Sequence, residues 1–210
     1  MISVNGDIMK FIIASNNSKK LFELERILKP LGVEAFTAKQ LGVSLDDVEE
    51  NGSSFAENAY IKAEAACKKT GLPAIADDSG LCVDALDGRP GIYSARYGGE
   101  GATDTDKINK LLSELNGVPS EKRGASFFCS ICCIFPDGYK ITAEGECKGS
   151  IAGAPSGSSG FGYDPIFLYE GKSFAELSAD EKDKISHRGN ALRELKVKLT
   201  EYLGGKNADR

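Results

Sequence analysis

Two consecutive carboxylates close an apolar run at Ile75-Ala76-Asp77-Asp78-Ser79-Gly80. An ionised carboxylate in that position can bind a divalent cation or orient a water molecule. Adjacent strand residues face opposite ways, so only one of the two aspartates is expected to face a ligand. The same Asp-Ser-Gly run also suits an Asx turn. Upstream, Ser15-Asn16-Asn17-Ser18-Lys19-Lys20 lies where a strand gives way to a helix. Backbone N–H groups and the helix dipole favour a phosphate there. Ser15, Asn17 and Lys20 add a hydroxyl, an amide and a cation. The glycines of a P-loop are absent, and a polar loop with a helix cap is the plain alternative. The acidic run Asp46-Asp47-Val48-Glu49-Glu50 is either a solvated loop or, folded over the aspartates, a second source of metal ligands.

Two later segments carry groups suited to a flat, polar ligand. In Ser159-Gly160-Phe161-Gly162-Tyr163-Asp164-Pro165 the glycines let backbone approach a ligand closely. Phe161 or Tyr163 can stack on a base, and Asp164 can accept from a ring N–H. A turn leading into the strand Ile166-Phe167-Leu168 is the alternative. Lys182-Asp183-Lys184-Ile185-Ser186-His187-Arg188-Gly189 places a histidine and an arginine at a helix start. Both can donate to a carbonyl oxygen or a phosphate. A lone histidine also serves as a surface or capping residue.

These segments need elements to hold them. Lys10 to Ser15 reads as a buried strand, followed by a helix carrying Leu21, Leu24, Leu28 and Leu31 and closed by Pro30 and Gly32. A second helix starts near Ser54 with Glu57 completing a capping box. Its apolar face is Phe55, Ala59, Ala63, Ala66 and Cys67, and Gly71 ends it. PAIADDSG reads as a strand entering a polar turn, and LCVDAL as a further strand. Thr103 caps a helix through Ile108, Leu111, Leu112 and Leu115. The turn Pro136-Asp137-Gly138 joins two arms of a β-hairpin, and APSGSSGFGYDP is a long loop. A closing helix runs through Leu192, Leu195, Leu199 and Leu203. The pattern predicts an α/β fold, a mixed β-sheet with flanking helices in two lobes.

Composition narrows the function. The net charge of -5 gives no general help in holding a nucleic-acid backbone, so an anionic ligand needs a local basic site or a metal ion. No signal-peptide core and no membrane-length apolar run is present, which predicts a cytoplasmic protein. Of the six cysteines, Cys129, Cys132 and Cys133 lie in GASFFCSICCIF. On a strand Cys129 and Cys133 share a face but sit ~13 Å apart, and the run reads as small buried hydrophobes in place of a zinc site.

Taken together, the segments resemble the inosine triphosphate pyrophosphatase (ITPase) family, the dITP/XTP noncanonical purine NTP pyrophosphatases. The carriers are Ser15 to Lys20, FAENAYIKA at 55–63, ADDSGLCVDALDGRPGIYSARY at 76–97, GFGYDPIF at 160–167 and EKDKISHRGNAL at 181–192. The resemblance implies an elongated mixed sheet, two lobes around a central nucleotide cleft, and a homodimer. Residues 10–203 would form the ITPase-like domain, with 1–9 an N-terminal extension and 204–210 a flexible tail. It implies Mg²⁺ as cofactor and cleavage between the α and β phosphates of ITP, dITP or XTP, which cleanses the nucleotide pool.

The resemblance also implies roles. Asp78 matches the proton acceptor and a metal ligand. Glu49 falls at the second metal position, with Glu50 as a substitute. Ser15, Asn16, Asn17, Ser18, Lys19 and Lys20 match the triphosphate loop. Ser79, Phe161, Gly162, Tyr163, Asp164, Lys182, His187 and Arg188 match substrate contacts. A nucleotide-sensing module that binds without cleaving would lack Asp78 or the acidic loop, and both are present. The Ser-His-Arg-Gly block argues against a pyrophosphatase of the related Maf type.

Overall fold

The computed structural model describes every residue except 1–2, 5–6, 9, 16, 30–32 and 209–210. Its strands are β1 (Ser3–Val4), β2 (Asp7–Ile8), β3 (Lys10–Ile13), β4 (Glu34–Thr37), β5 (Ala74–Val83), β6 (Gly124–Ile134), β7 (Lys140–Ile151), β8 (Phe167–Tyr169) and β9 (Lys172–Ser173). Its α-helices are α1 (Ser18–Leu28), α2 (Phe55–Thr70), α3 (Asp104–Glu114), α4 (Ala179–Ile185) and α5 (His187–Ala208). Seven strands form one sheet in the order β4-β3-β5-β6-β7-β8-β9, and β1 pairs with β2 in a separate ribbon. β3 runs parallel to both β4 and β5, while β8 is antiparallel to β7 and β9. This is the mixed α/β sheet with flanking helices that the sequence predicts.

The chain divides into two compact units. The first holds residues 1–78, 130–144 and 191–210, and the second 79–129 and 145–190. In the first, α1 connects β3 to its neighbour β4, and α2 connects β4 to β5 on the other side of β3, crossovers that parallel strands require. Ala59, Ala63, Ala66 and Cys67 of α2 pack on Ile12, Ala14, Ala74 and Ala76 of the sheet. Small side chains on both surfaces bring helix and sheet close. Ser54 caps α2 through the Glu57 N–H, and Gly71 closes it in the left-handed conformation. The Glu57 carboxylate turns to the N–H and hydroxyl of Ser53, so the expected reciprocal box does not form. In α1, Leu24 is buried; Pro30 and Gly32, expected to close it, lie outside the described residues.

β5 corrects the sequence reading. Asp77-Asp78-Ser79-Gly80 was expected to form a turn between two strands, yet the strand continues through it for ten residues. β5 is central, with β3 and β6 as neighbours, so its ladder holds the backbone extended. Pairing partners for the two aspartates, described below, remove the drive to bend locally. The expected second strand ends at Val83, and Asp84–Leu86 is a 3-10 turn. The short strand β4 has no counterpart among the predicted elements.

The second unit has its own core, with Leu81, Leu111, Leu115, Phe127, Phe167 and Phe174 at its centre. α3 carries the full capping box, with Thr103 and Asp106 bonded reciprocally. α5 is helical through Ala208, past the point where a tail was expected to begin. Leu192, Leu195, Leu199 and Leu203 are its buried stripe.

Three α5 side chains four residues apart engage alternate residues of β7. Asn190 Nδ2 donates to the Glu146 carbonyl at 2.7 Å, Glu194 Oε2 accepts the Glu144 N–H at 2.8 Å, and Lys198 Nζ donates to the Thr142 carbonyl at 2.8 Å. Four helical residues rise about 6.0 Å and two strand residues about 6.8 Å, so the two repeats match. Cys129, Cys132 and Cys133 are buried along β6. Among the described residues no helix is long and apolar enough to cross a membrane.

Candidate active site

The first unit gathers charge just beyond the carboxyl end of β3 and midway along β5, whose Ile75 pairs with Ile13. Strand alternation separates the two aspartates. Ala74 and Ala76 of β5 face α2, and Asp78 continues that face. Asp77 points the other way, its carboxylate 3.1 Å from Lys20 Nζ of α1. Asp78 Oδ2 accepts from Asn58 Nδ2 at 3.1 Å, and Oδ1 lies 3.7 Å from Lys62 Nζ. Lys62 in turn sits 2.8 Å from Glu50 Oε2. One turn of α2 therefore presents an amide and an ammonium to Asp78.

Burial pushes the Asp78 carboxyl above the ordinary aspartate range, with Lys62, Lys20 and the Asn58 bond opposing and Glu50 adding to the rise. Burial also works against the Lys62 ammonium, but Asp77, Asp78 and Glu50 outweigh it and hold its pKa above the usual lysine value. Of the two glutamates expected near the metal position, both are exposed, and Glu50 contacts this cluster through Lys62.

Asn17 caps α1: its Oδ1 accepts the Lys20 N–H and its carbonyl the Leu21 N–H. Ser15 Oγ accepts the Asn17 N–H at 3.2 Å. The loop thus has the capped form that suits either reading of the sequence. Asn16 and the side chains of Ser18 and Lys19 lie outside the described residues.

The second unit assembles the aromatic and basic groups. Gly160 and Gly162 adopt positive φ, and a Cβ at Gly160 would collide with Asp164 Oδ2. That oxygen accepts the Phe161 N–H at 2.8 Å and Lys182 Nζ at 2.7 Å in a buried ion pair. Asp104 Oδ2 takes the Gly162 N–H. Tyr163 is buried in the core and donates to the Ser94 carbonyl, leaving Phe161 as the half-buried aromatic of the loop. Lys182 Nζ lies 5.0 Å and the Arg188 guanidinium 5.9 Å from the Phe161 ring centroid. Arg188 also donates to Ser79 Oγ at 2.9 Å. The His187 ring stacks on Phe127 at 4.7 Å. Ser186 Oγ accepts the Gly189 N–H and so caps α5. A Cβ at Gly189 would strike the Asp183 carbonyl, which explains a glycine in that turn.

Sequence reasoning gave no role to Asn58 and Lys62, although both lie in the FAENAYIKA segment. The available signal was their spacing: a polar pair four residues apart beside the alanine stripe of α2. Phe127 and Asp104 were also missed, because nothing local marks a residue that stacks on or tethers a distant loop.

Carboxylates and lysines gathered beside parallel strands can hold a metal ion or a phosphate, and the class of protein is a hydrolytic enzyme on a mixed α/β sheet, as its relatives are. The chain belongs to the Ham1 family, whose model matches residues 11–198. It is 47% identical over 199 residues to the dITP/XTP pyrophosphatase of Geobacillus kaustophilus, covering 94% of this chain and 97% of that protein. Solved structures of a HAM1 protein from Coxiella burnetii and of the Staphylococcus aureus Ham1 protein align with TM-scores of 0.83 and 0.81, at 44% and 42% identity. Each alignment covers 92% of this chain and 99% of the other.

Proposed function

We propose that the protein hydrolyses noncanonical purine nucleoside triphosphates, ITP, dITP and XTP, to the monophosphate and pyrophosphate. The observation that carries this reading is the buried Asp78 with Lys62, Lys20 and Glu50 around it, in a family whose relatives are named dITP/XTP pyrophosphatases. Lys20 and the N-terminus of α1 bind phosphate oxygens. Asp78 accepts a proton from the attacking water or holds it in line with the α-phosphorus. Asp78 with Glu50 or Glu49 offers the hard oxygen donors that suit Mg²⁺, which when bound neutralises charge on the phosphates. The ITPase resemblance supports a homodimer working in the cytoplasm. ITP incubated with Mg²⁺ is expected to give IMP and pyrophosphate, resolved by chromatography. Products of IDP and orthophosphate would sink the proposed bond cleavage.

Phe161 supplies the stacking face for the base, and His187 or Arg188 donates to its 6-keto oxygen. An amino group at position 6, as in adenine, meets a donor there and gains nothing. In His187→Ala and Arg188→Ala the ratio of kcat/KM for ITP over ATP is expected to shrink ~10-fold, as for a lost buried donor worth about 1.4 kcal/mol. An unchanged ratio in both variants would move base reading elsewhere, first to the Phe161 to Asp164 loop.

A further inference from the structure

Asn58 is a buried polar residue at 1% exposure, in a helix face otherwise lined by three alanines and Cys67. Both ends of its amide are engaged. Oδ1 accepts the Gly52 N–H at 2.9 Å, and Nδ2 donates to Asp78 Oδ2 at 3.1 Å. The partners fix the amide orientation, since an N–H can only donate and a carboxylate only accept. Gly52 must come close for this: a Cβ there would lie 2.8 Å from Asn58 Oδ1 and 2.7 Å from Glu57 Cβ. Gly52 is two residues from Glu50, which Lys62 holds one turn further along α2.

We propose that Asn58 is a positioning residue that holds the 50–52 segment and the Asp78 carboxylate in a fixed mutual arrangement, acting on the reaction through Asp78. This rests on the assignment of Asp78 to the chemistry. Its amide accepts at one atom and donates from another, so it meets the backbone N–H and the carboxylate at two separate points. Aspartate keeps the first bond and loses the second. Alanine loses both and adds no charge.

The test is a double-mutant cycle on kcat and KM for ITP, with amide hydrogen exchange of the segment around Gly52 as a readout apart from turnover. Asn58→Asp and Asn58→Ala are each expected to lower kcat ~10-fold or more, with KM within about threefold of the parent. In an Asp78→Asn background either change should alter residual kcat less than about twofold. Gly52 exchange should quicken in Asn58→Ala and stay slow in Asn58→Asp. Melting curves show that each variant is folded, and if one is not, the other carries the cycle. An equal fold-loss in both backgrounds, or no loss from either Asn58 change, overturns the proposal. Parental activity in Asp78→Asn alone would instead remove the assignment of Asp78, and the proposal with it.

Discussion

Asp78→Asn is expected to lower kcat for ITP at least ~10²-fold, the loss typical of removing an acid-base or metal-holding group. The same change should leave the metal-free melting temperature equal to the parent's or higher. The sign follows from burial. Burial raises the Asp78 pKa in the fold above its unfolded value. Such a group gives its full stabilisation below the unfolded pKa and loses it as pH rises through the folded one. At neutral pH the ionised carboxylate is therefore a cost to folding, which asparagine removes while keeping shape and an acceptor for Asn58. Asp77→Asn should show the reverse profile, with a smaller fall in kcat and a lower melting temperature. It breaks the ion pair with Lys20, whose carboxylate is fully buried. Steady-state kinetics with Mg²⁺ and melting curves in EDTA measure both, and a larger kcat loss from Asp77→Asn would reverse the assignment of the pair.

Chelation with EDTA should reduce turnover to below ~1% of the Mg²⁺-supplied rate, and excess Mg²⁺ should restore it. Charge at the site gives the reason. Among the described residues, Asp77 pairs with Lys20, and Asp78 and Glu50 both lie against Lys62. Both lysines are already engaged. A polyanionic triphosphate brings further negative charge beside these carboxylates, and a bound cation relieves it. Undiminished turnover in a chelated sample, verified metal-free by elemental analysis, would take Mg²⁺ out of the reaction.

Elements whose signals are local were legible in the sequence. The Ser54 and Gly71 ends of α2, the Thr103 cap and the leucine stripe of α5 all depend on residues close to one another in the chain. β5 was misread because Asp-Asp-Ser-Gly carries turn chemistry locally, while the bonds that keep it extended come from residues distant in the chain. Tyr163 presents the same difficulty. An aromatic between two polar residues looks available for stacking, and only the Ser94 carbonyl and the surrounding core show that it points inward. Opposite facing of Asp77 and Asp78 was readable from strand alternation alone. The linkage of Asp78 through Asn58 to Gly52 was not, since it needs α2 docked on the sheet.

The ladder of Asn190, Glu194 and Lys198 along β7 has a consequence for how the protein behaves among its own copies. β8 pairs with β7 only at Ser150 and Ile151. Along 142–146, alternate backbone groups on that side would otherwise stand open, and an open strand edge invites strand addition from another molecule. Here the Thr142 and Glu146 carbonyls and the Glu144 N–H are bonded to helix side chains. An incoming strand would have to displace an ammonium, a carboxylate and an amide to pair with these three groups. A helix laid beside the strand thus occupies part of the edge with side-chain bonds, where a proline or a bulge would otherwise be the means of spoiling it.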